Sequence, residues 1–192
     1  MIARAVVASK NIDKVAEIES VLSELGLVGE IVRDAEWEDV VEDGGTLEEN
    51  ALLKARAVMS TTGLAAIADD TGLEVEALEG APGVHTARFS GPDATYESNV
   101  AALLDAMHGV SNRGATFRTV VVLCEPDGTE VVVEGSLVGH IAEAARGSNG
   151  FGYDPIFEVD GVTVAQMSSA QKAAISHRAL AIRALAAALQ SR

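Results

Sequence analysis

Residues 3–26 read ARAVVASKNIDKVAEIESVLSELG, and their pattern decides the fold class. Ala3 to Ala8 is a short apolar run of the kind that forms a buried strand. Ser9-Lys10-Asn11 is a polar loop. Val15, Ile18, Val21, Leu22 and Leu25 then recur at helical spacing, and Gly26 ends the helix. Strand, polar loop and helix in this order make one unit of an open α/β sheet. Ligands of such sheets gather at the carboxyl ends of the strands, where this loop falls.

Working outward, Glu30 to Arg33 reads as a second strand. An acidic loop, Val40 to Gly45, leads into Thr46-Leu47-Glu48-Glu49, a capping box that starts a helix from about Leu47 to Thr61. Leu64 to Ala68 is an apolar strand expected to end at Asp69-Asp70, with Thr71-Gly72 as a tight turn and Glu74 to Leu78 as a separate strand. Gly80 to Gly91 is a loop. Tyr96 to Met107 is helical, and Thr116 to Glu125 and Thr129 to Val138 form a hairpin around Pro126-Asp127-Gly128. A Gly-rich loop, Gly147 to Gly152, precedes a short strand, Pro155 to Val159. Ser168-Ser169-Ala170-Gln171 is a second capping box, opening one last helix to about Gln190. Helices alternate with strands and then give way to a hairpin, so the expected class is α/β with a mixed sheet.

The 192 residues suit one large domain or two joined lobes. No apolar run is long enough to span a bilayer, and the stretch at the start is too short for a signal peptide. With a single cysteine, Cys124, the expectation is a soluble cytoplasmic protein without an intrachain disulfide framework. A net charge of −15 argues against general binding of DNA or RNA. The same charge repels a free nucleotide, so a phosphate site must be locally positive or carry metal. The chain has only four lysines, Lys10, Lys14, Lys54 and Lys172, and all four lie in segments that could line a site.

Four segments carry candidate chemistry. In Ser9 to Lys14, amides at a helix N-terminus and the Lys14 charge suit a phosphate; the plainer reading is a Ser or Asn helix cap, which the segment alone favours. Asp69-Asp70 places two adjacent carboxylates at the ligand edge, costly unless neutralised and fit for magnesium; the plainer reading is a surface turn, and Glu42, a candidate second ligand, is alone indistinguishable from a solvated surface charge. Gly150-Phe151-Gly152-Tyr153-Asp154-Pro155 sets rings beside a flexible loop, a stacking surface for a base, against an aromatic plug at the sheet edge. Lys172 and Ser176 share a helical spacing, and His177-Arg178 follows, a set suited to phosphate or a purine carbonyl; a solvated helix face is the plainer reading. His85, His108 and His140 show no metal-ligand spacing, and Cys124 reads as buried and inert.

Taken together and in order, SKNIDK, GTLEENALLKA, AIADDTGL, GAPGVHTARFSG, GFGYDPIF and ISHRALA resemble the inosine triphosphate pyrophosphatase family, from about Val6 to Leu189. The resemblance implies an elongated mixed sheet flanked by helices, in two lobes with a central cleft, and a homodimer. It implies magnesium-dependent hydrolysis of ITP, dITP and XTP to the monophosphate and pyrophosphate. Carried onto this chain, Ser9, Lys10, Asn11, Ile12, Asp13 and Lys14 would hold phosphate. Asp70 would be the catalytic carboxylate and a metal ligand, Glu42 a further ligand, Asp69 a supporting carboxylate and Thr71 a substrate contact. Phe151, Gly152, Tyr153 and Asp154 would hold the base, Lys172 the phosphates or base, and His177 and Arg178 the base edge. Lys10 stands where the family usually has Gly, His85 and Phe89 where Tyr is common, and Gln171 where Glu is usual.

A nucleotide-binding regulatory module without turnover would share the phosphate loop and the aromatic segment. The Asp69-Asp70 pair tips the choice toward an enzyme, because pure binding gains little from added negative charge beside a triphosphate.

Overall fold

The computed structural model describes residues 1–191. Eight strands and five helices follow the chain as β1 (Ile2–Val7), α1 (Ile12–Glu24), β2 (Val28–Ile31), α2 (Leu47–Thr62), β3 (Ala65–Val75), β4 (Pro82–Gly83), α3 (Tyr96–Ala106), β5 (Gly114–Cys124), β6 (Glu130–Ile141), β7 (Phe157–Val159), β8 (Val162–Thr163), α4 (Ser169–Ile175) and α5 (His177–Gln190). The sheet order is β2-β1-β3-β5-β6-β7-β8, with β4 on β3. Its pairing is mixed, as expected: β1 is parallel to β2 and β3, while β4 is antiparallel to β3 and β7 is antiparallel to β6 and β8. Among the described residues, no helix is long and apolar enough to cross a membrane.

The described residues divide into two compact units, the first of residues 1–70, 119–135 and 177–191 and the second of residues 71–118 and 136–176. In the first, Ile18, Val21 and Leu22 of α1 and Ile182 and Leu185 of α5 bury their apolar stripes with Ile2, Ala5 and Val7 of β1 and Ile67 of β3. α2, also in the first unit, is fixed at its start by the Thr46 capping box and stopped by Gly63 at φ 67°. The core of the second unit gathers Leu73, Val75, Leu103, Met107, Ile141 and Phe157, with the Phe117 and Phe157 rings 4.5 Å apart.

Three expectations are corrected. Asp69-Asp70 do not end a strand: β3 runs on through Thr71 and Gly72 to Val75, and Glu76–Leu78 is a single 3-10 turn. Gly72 does not take the left-handed conformation that a tight turn would need, and Leu73 beyond it pairs with Gly83 and donates its N–H to Thr86 Oγ1 at 2.7 Å. The last helix is two, because Ser176 is extended at φ −63°, ψ 144° and separates α4 from α5. The short strand starts at Phe157 and not Pro155, since Tyr153 to Ile156 forms a turn in which Tyr153 O accepts from the N–H groups of Ile156 and Phe157.

Candidate active site

Register explains why the first unit collects charge. Val7 at the end of β1 pairs with Ile67 of β3, and Ala8 donates to Ile67 O at 2.7 Å. β3 then runs beyond its parallel neighbour, so Asp69 and Asp70 lie beside the start of α1. Successive residues of a strand point to opposite faces. Accordingly, Asp69 meets Lys14 of α1 and Arg178 of α5, whereas Asp70 meets Asn50 and Lys54 of α2.

Asp69 is fully buried, with Lys14 Nζ at 3.2 Å and Arg178 Nε at 3.1 Å from Oδ2. Burial alone would raise its pKa, but the charges of Lys14, Arg178 and Lys54 outweigh it and hold the carboxyl far below the usual range. Lys14 is lowered: desolvation exceeds the attraction of Asp69, and Arg178 and Lys54 add repulsion. Arg178 is buried and shared, its Nη1 donating to Glu17 of α1 in a second ion pair. Neither Glu17 nor its pairing was foreseen, although it sits one helical turn after Lys14.

Asp70 is buried on the α2 side. Asn50 Nδ2 donates to its Oδ2 at 3.2 Å, and Lys54 Nζ stands 3.5 Å from its Oδ1. Burial first, and then the charge of Glu42, raise the Asp70 pKa against the pull of Lys54 and Lys14. Lys54 also donates to Glu42 Oε2 at 2.7 Å, and the nearby carboxylates outweigh its desolvation and raise its pKa. One ammonium therefore bridges the two carboxylates named from the sequence as metal ligands. Among the described residues, no cluster of three or more His, Cys, Asp or Glu could hold a metal. Two hard carboxylates that already share one cation do fit magnesium, which is often held by one or two carboxylates with substrate phosphates and water completing the shell.

The loop after β1 is less charged than the sequence suggested. Asn11 caps α1, its Oδ1 accepting from the amides of Asp13 and Lys14 at 3.0 and 3.3 Å, and Ser9 Oγ accepts from Asn11 N at 3.3 Å. Lys10 pairs with Asp39 on the surface, and Ile12 and Asp13 are exposed. His177 is buried, with Nδ1 2.6 Å from Thr119 Oγ1.

The second unit holds Phe151, Gly152, Asp154 and Lys172. Asp154 Oδ2 accepts from Phe151 N at 2.9 Å and from Lys172 Nζ, which lies 4.7 Å from the Phe151 ring centroid. Gly150, at φ 71°, allows this: an added Cβ would fall 2.0 Å from Asp154 Oδ2. Tyr96, not foreseen, packs its ring 5.8 Å from that of Phe151. Thr71 is half-buried on β3. The Tyr153 ring is not an open stacking surface. The turn aims it into the core, where it is 4% exposed, its hydroxyl donates to Thr86 O at 2.9 Å, and burial pushes its pKa up. The Lys172-to-Arg178 segment is not one helix face either, since Ser176 breaks it and His177 and Arg178 belong to the first unit.

Comparison with known proteins agrees along the whole chain. The dITP/XTP pyrophosphatase of Exiguobacterium sp. is 43% identical over 187 residues, covering 96% of this chain and 95% of the relative. The solved Ham1 protein of Staphylococcus aureus superposes with a TM-score of 0.86 at 39% identity, covering 98% of each chain. A HAM1 protein from Coxiella burnetii gives 0.88 at 38% identity over the whole of both chains. The Ham1 family model matches residues 5–188, and with relatives of this similarity over nearly full length the chain belongs to the Ham1 family.

Proposed function

We propose that the chain hydrolyses nonstandard purine nucleoside triphosphates, dITP, ITP and XTP, to the monophosphate and pyrophosphate, in support of which relatives of this similarity carry the name dITP/XTP pyrophosphatase. The observation that carries the reading is the convergence on Lys54 of Asp70 and Glu42, with Lys14 held on Asp69, the residue before Asp70. A site for binding alone would have no use for carboxylates kept beside cations next to the loop that follows β1.

The residues divide the work. Lys14 and Lys54 neutralise the triphosphate, and Ser9 to Asp13, the turn into α1, hold phosphate once the Asn11 cap gives up the amides of Asp13 and Lys14. Lys10 reaches the outermost phosphate only after leaving Asp39. Asp70 orients the attacking water and accepts its proton as the new P–O bond forms and the α–β anhydride opens. Its raised pKa makes it the stronger base of the adjacent pair, whereas Asp69 stays ionised as the anchor of Lys14 and Arg178. Glu42 and Asp70 would hold magnesium, which when bound supplies charge neutralisation to the phosphates. Thr71 offers a hydroxyl to the substrate. Phe151, with Lys172 at its face, Gly152, the Tyr153 backbone and Asp154 hold the base.

The family resemblance assigns the base edge, with its 6-carbonyl, to His177 and Arg178; within the first unit the guanidinium is oriented by Asp69 and Glu17. An adenine amino group facing those donors would leave buried donors without acceptors. From the family resemblance, the working form is a cytoplasmic homodimer.

Product analysis tests this reading. Incubated with dITP and Mg²⁺, the chain is expected to release pyrophosphate and dIMP in equal amounts, with no orthophosphate. Excess EDTA should abolish release, and added Mg²⁺ should restore it. Orthophosphate as the product, or full activity in EDTA, would contradict it.

A further inference from the structure

Resting on that reading, we propose that Asn50 is a positioning residue whose amide sets the Asp70 carboxylate and, through the backbone of the acidic loop, the place of Glu42. Asn50 is 2% exposed, an uncommon site for an amide unless both its ends are used. Both are. Nδ2 donates to Asp70 Oδ2 at 3.2 Å, and Oδ1 accepts from Gly44 N at 2.9 Å. The amide thus ties the strand that carries Asp70 to the loop that carries Glu42, two residues before Gly44.

The loop is seated closely enough for this tie to fix it. A Cβ at Gly44 would fall 2.7 Å from Asn50 Oδ1 and 2.7 Å from Glu49 Cβ, so only glycine passes there without displacement. Glu49 Oε2 takes the next amides, Gly45 N at 2.7 Å and Thr46 N at 3.2 Å. One turn along the same face of α2, Lys54 reaches both Glu42 and Asp70. Asn50 supplies the directional bond that Lys54 lacks. An ammonium attracts either carboxylate oxygen from many directions, whereas an amide N–H is directional and engages Asp70 through Oδ2.

An aspartate at position 50 separates this role from simple loop support, because it keeps the acceptor for Gly44 but removes the donor to Asp70 and sets one carboxylate against another. In the full-length chain, Asn50→Asp is expected to lower kcat for dITP by about 30- to 100-fold with KM within about threefold, the pattern of an interaction that matters after binding. A second readout needs no activity. Urea unfolding should show Asn50→Asp raising the unfolding equilibrium constant about tenfold in the wild-type background but no more than about threefold in the Asp70→Asn background, where an amide again faces a carboxylate. Should Asn50→Asp not fold in the wild-type background, it must fold in the Asp70→Asn background, and Asn50→Ala must show the same fall in kcat. Wild-type kcat in a folded Asn50→Asp or Asn50→Ala chain, equal destabilisation in the two backgrounds, or failure to fold in both overturns the proposal. A wild-type chain that releases no pyrophosphate from dITP would sink the functional reading alone, because the unfolding comparison tests the Asn50–Asp70 contact by itself.

Discussion

Asp70→Asn is expected to lower kcat for dITP by about 10²- to 10⁴-fold, the usual worth of a positioned general base, while nucleotide affinity changes by less than about fivefold. The asparagine keeps the shape of the side chain and an oxygen for the Asn50 amide, so the cost falls on proton acceptance. Affinity is spared because Lys14 and Lys54 remain and one negative charge beside the triphosphate is removed. Single-turnover kinetics and calorimetric binding, measured on the same preparation, separate the two effects. Binding and turnover lost together would make Asp70 a holder of metal or structure only.

Arg178→Ala is expected to cost stability on the order of 3–5 kcal/mol, the range seen when one partner of a buried ion pair is removed. Arg178 is 2% exposed and serves two acids, and its removal takes one buried cation from Asp69, which also faces Lys14. For a chain of this size, each kcal/mol lowers Tm by roughly 2–4 °C, so the fall should be about 6–20 °C. Arg33→Ala is the control: its pair with Glu19 is exposed and salt-screened, and its loss should not move Tm measurably. The pH dependence has a definite sign. Asp69's folded pKa lies below its unfolded value, so its contribution to stability is complete above about pH 5 and fades as pH falls toward the folded pKa. The Arg178→Ala deficit should therefore be flat from about pH 6 to 8 and shrink in acid. A Tm within 2–3 °C of wild type, a shift of roughly 1 kcal/mol, would show that Asp69 is neutralised without Arg178.

What was legible in the sequence was local. The Thr46 and Ser168 capping boxes, the stripe of α1 as far as Leu22 and the Pro126-Asp127-Gly128 turn depend on residues a few positions apart, and each appears where read, whereas Leu25 caps α1 and is exposed. Asp69-Asp70 were singled out but wrongly placed at a strand end, since β3 runs on to Val75. Periodicity sees an apolar run stop at Ala68, yet cannot see that β3 outruns β1 and stays extended with other partners. Tyr153 misled for a related reason: alternation with Phe151 suggested two rings on one surface, but the chain turns between them and sends Tyr153 inward. Lys54 and Asn50 went unassigned even though they stand four apart on a capped helix, with Ala51 and Ala55 buried beside them. A polar amide and a lysine next to the buried stripe of a helix were the available signal. Glu17 gave a weaker one, since its partner Arg178 is 161 residues away.

Selectivity by the purine 6-position is the centre of the account, and one comparison tests it most directly: kcat/KM for dITP against dATP, with pyrophosphate as the readout and Mg²⁺ saturating. Donors buried against a carbonyl predict a preference for dITP of at least about 10²-fold. Equal values for the two nucleotides would contradict it.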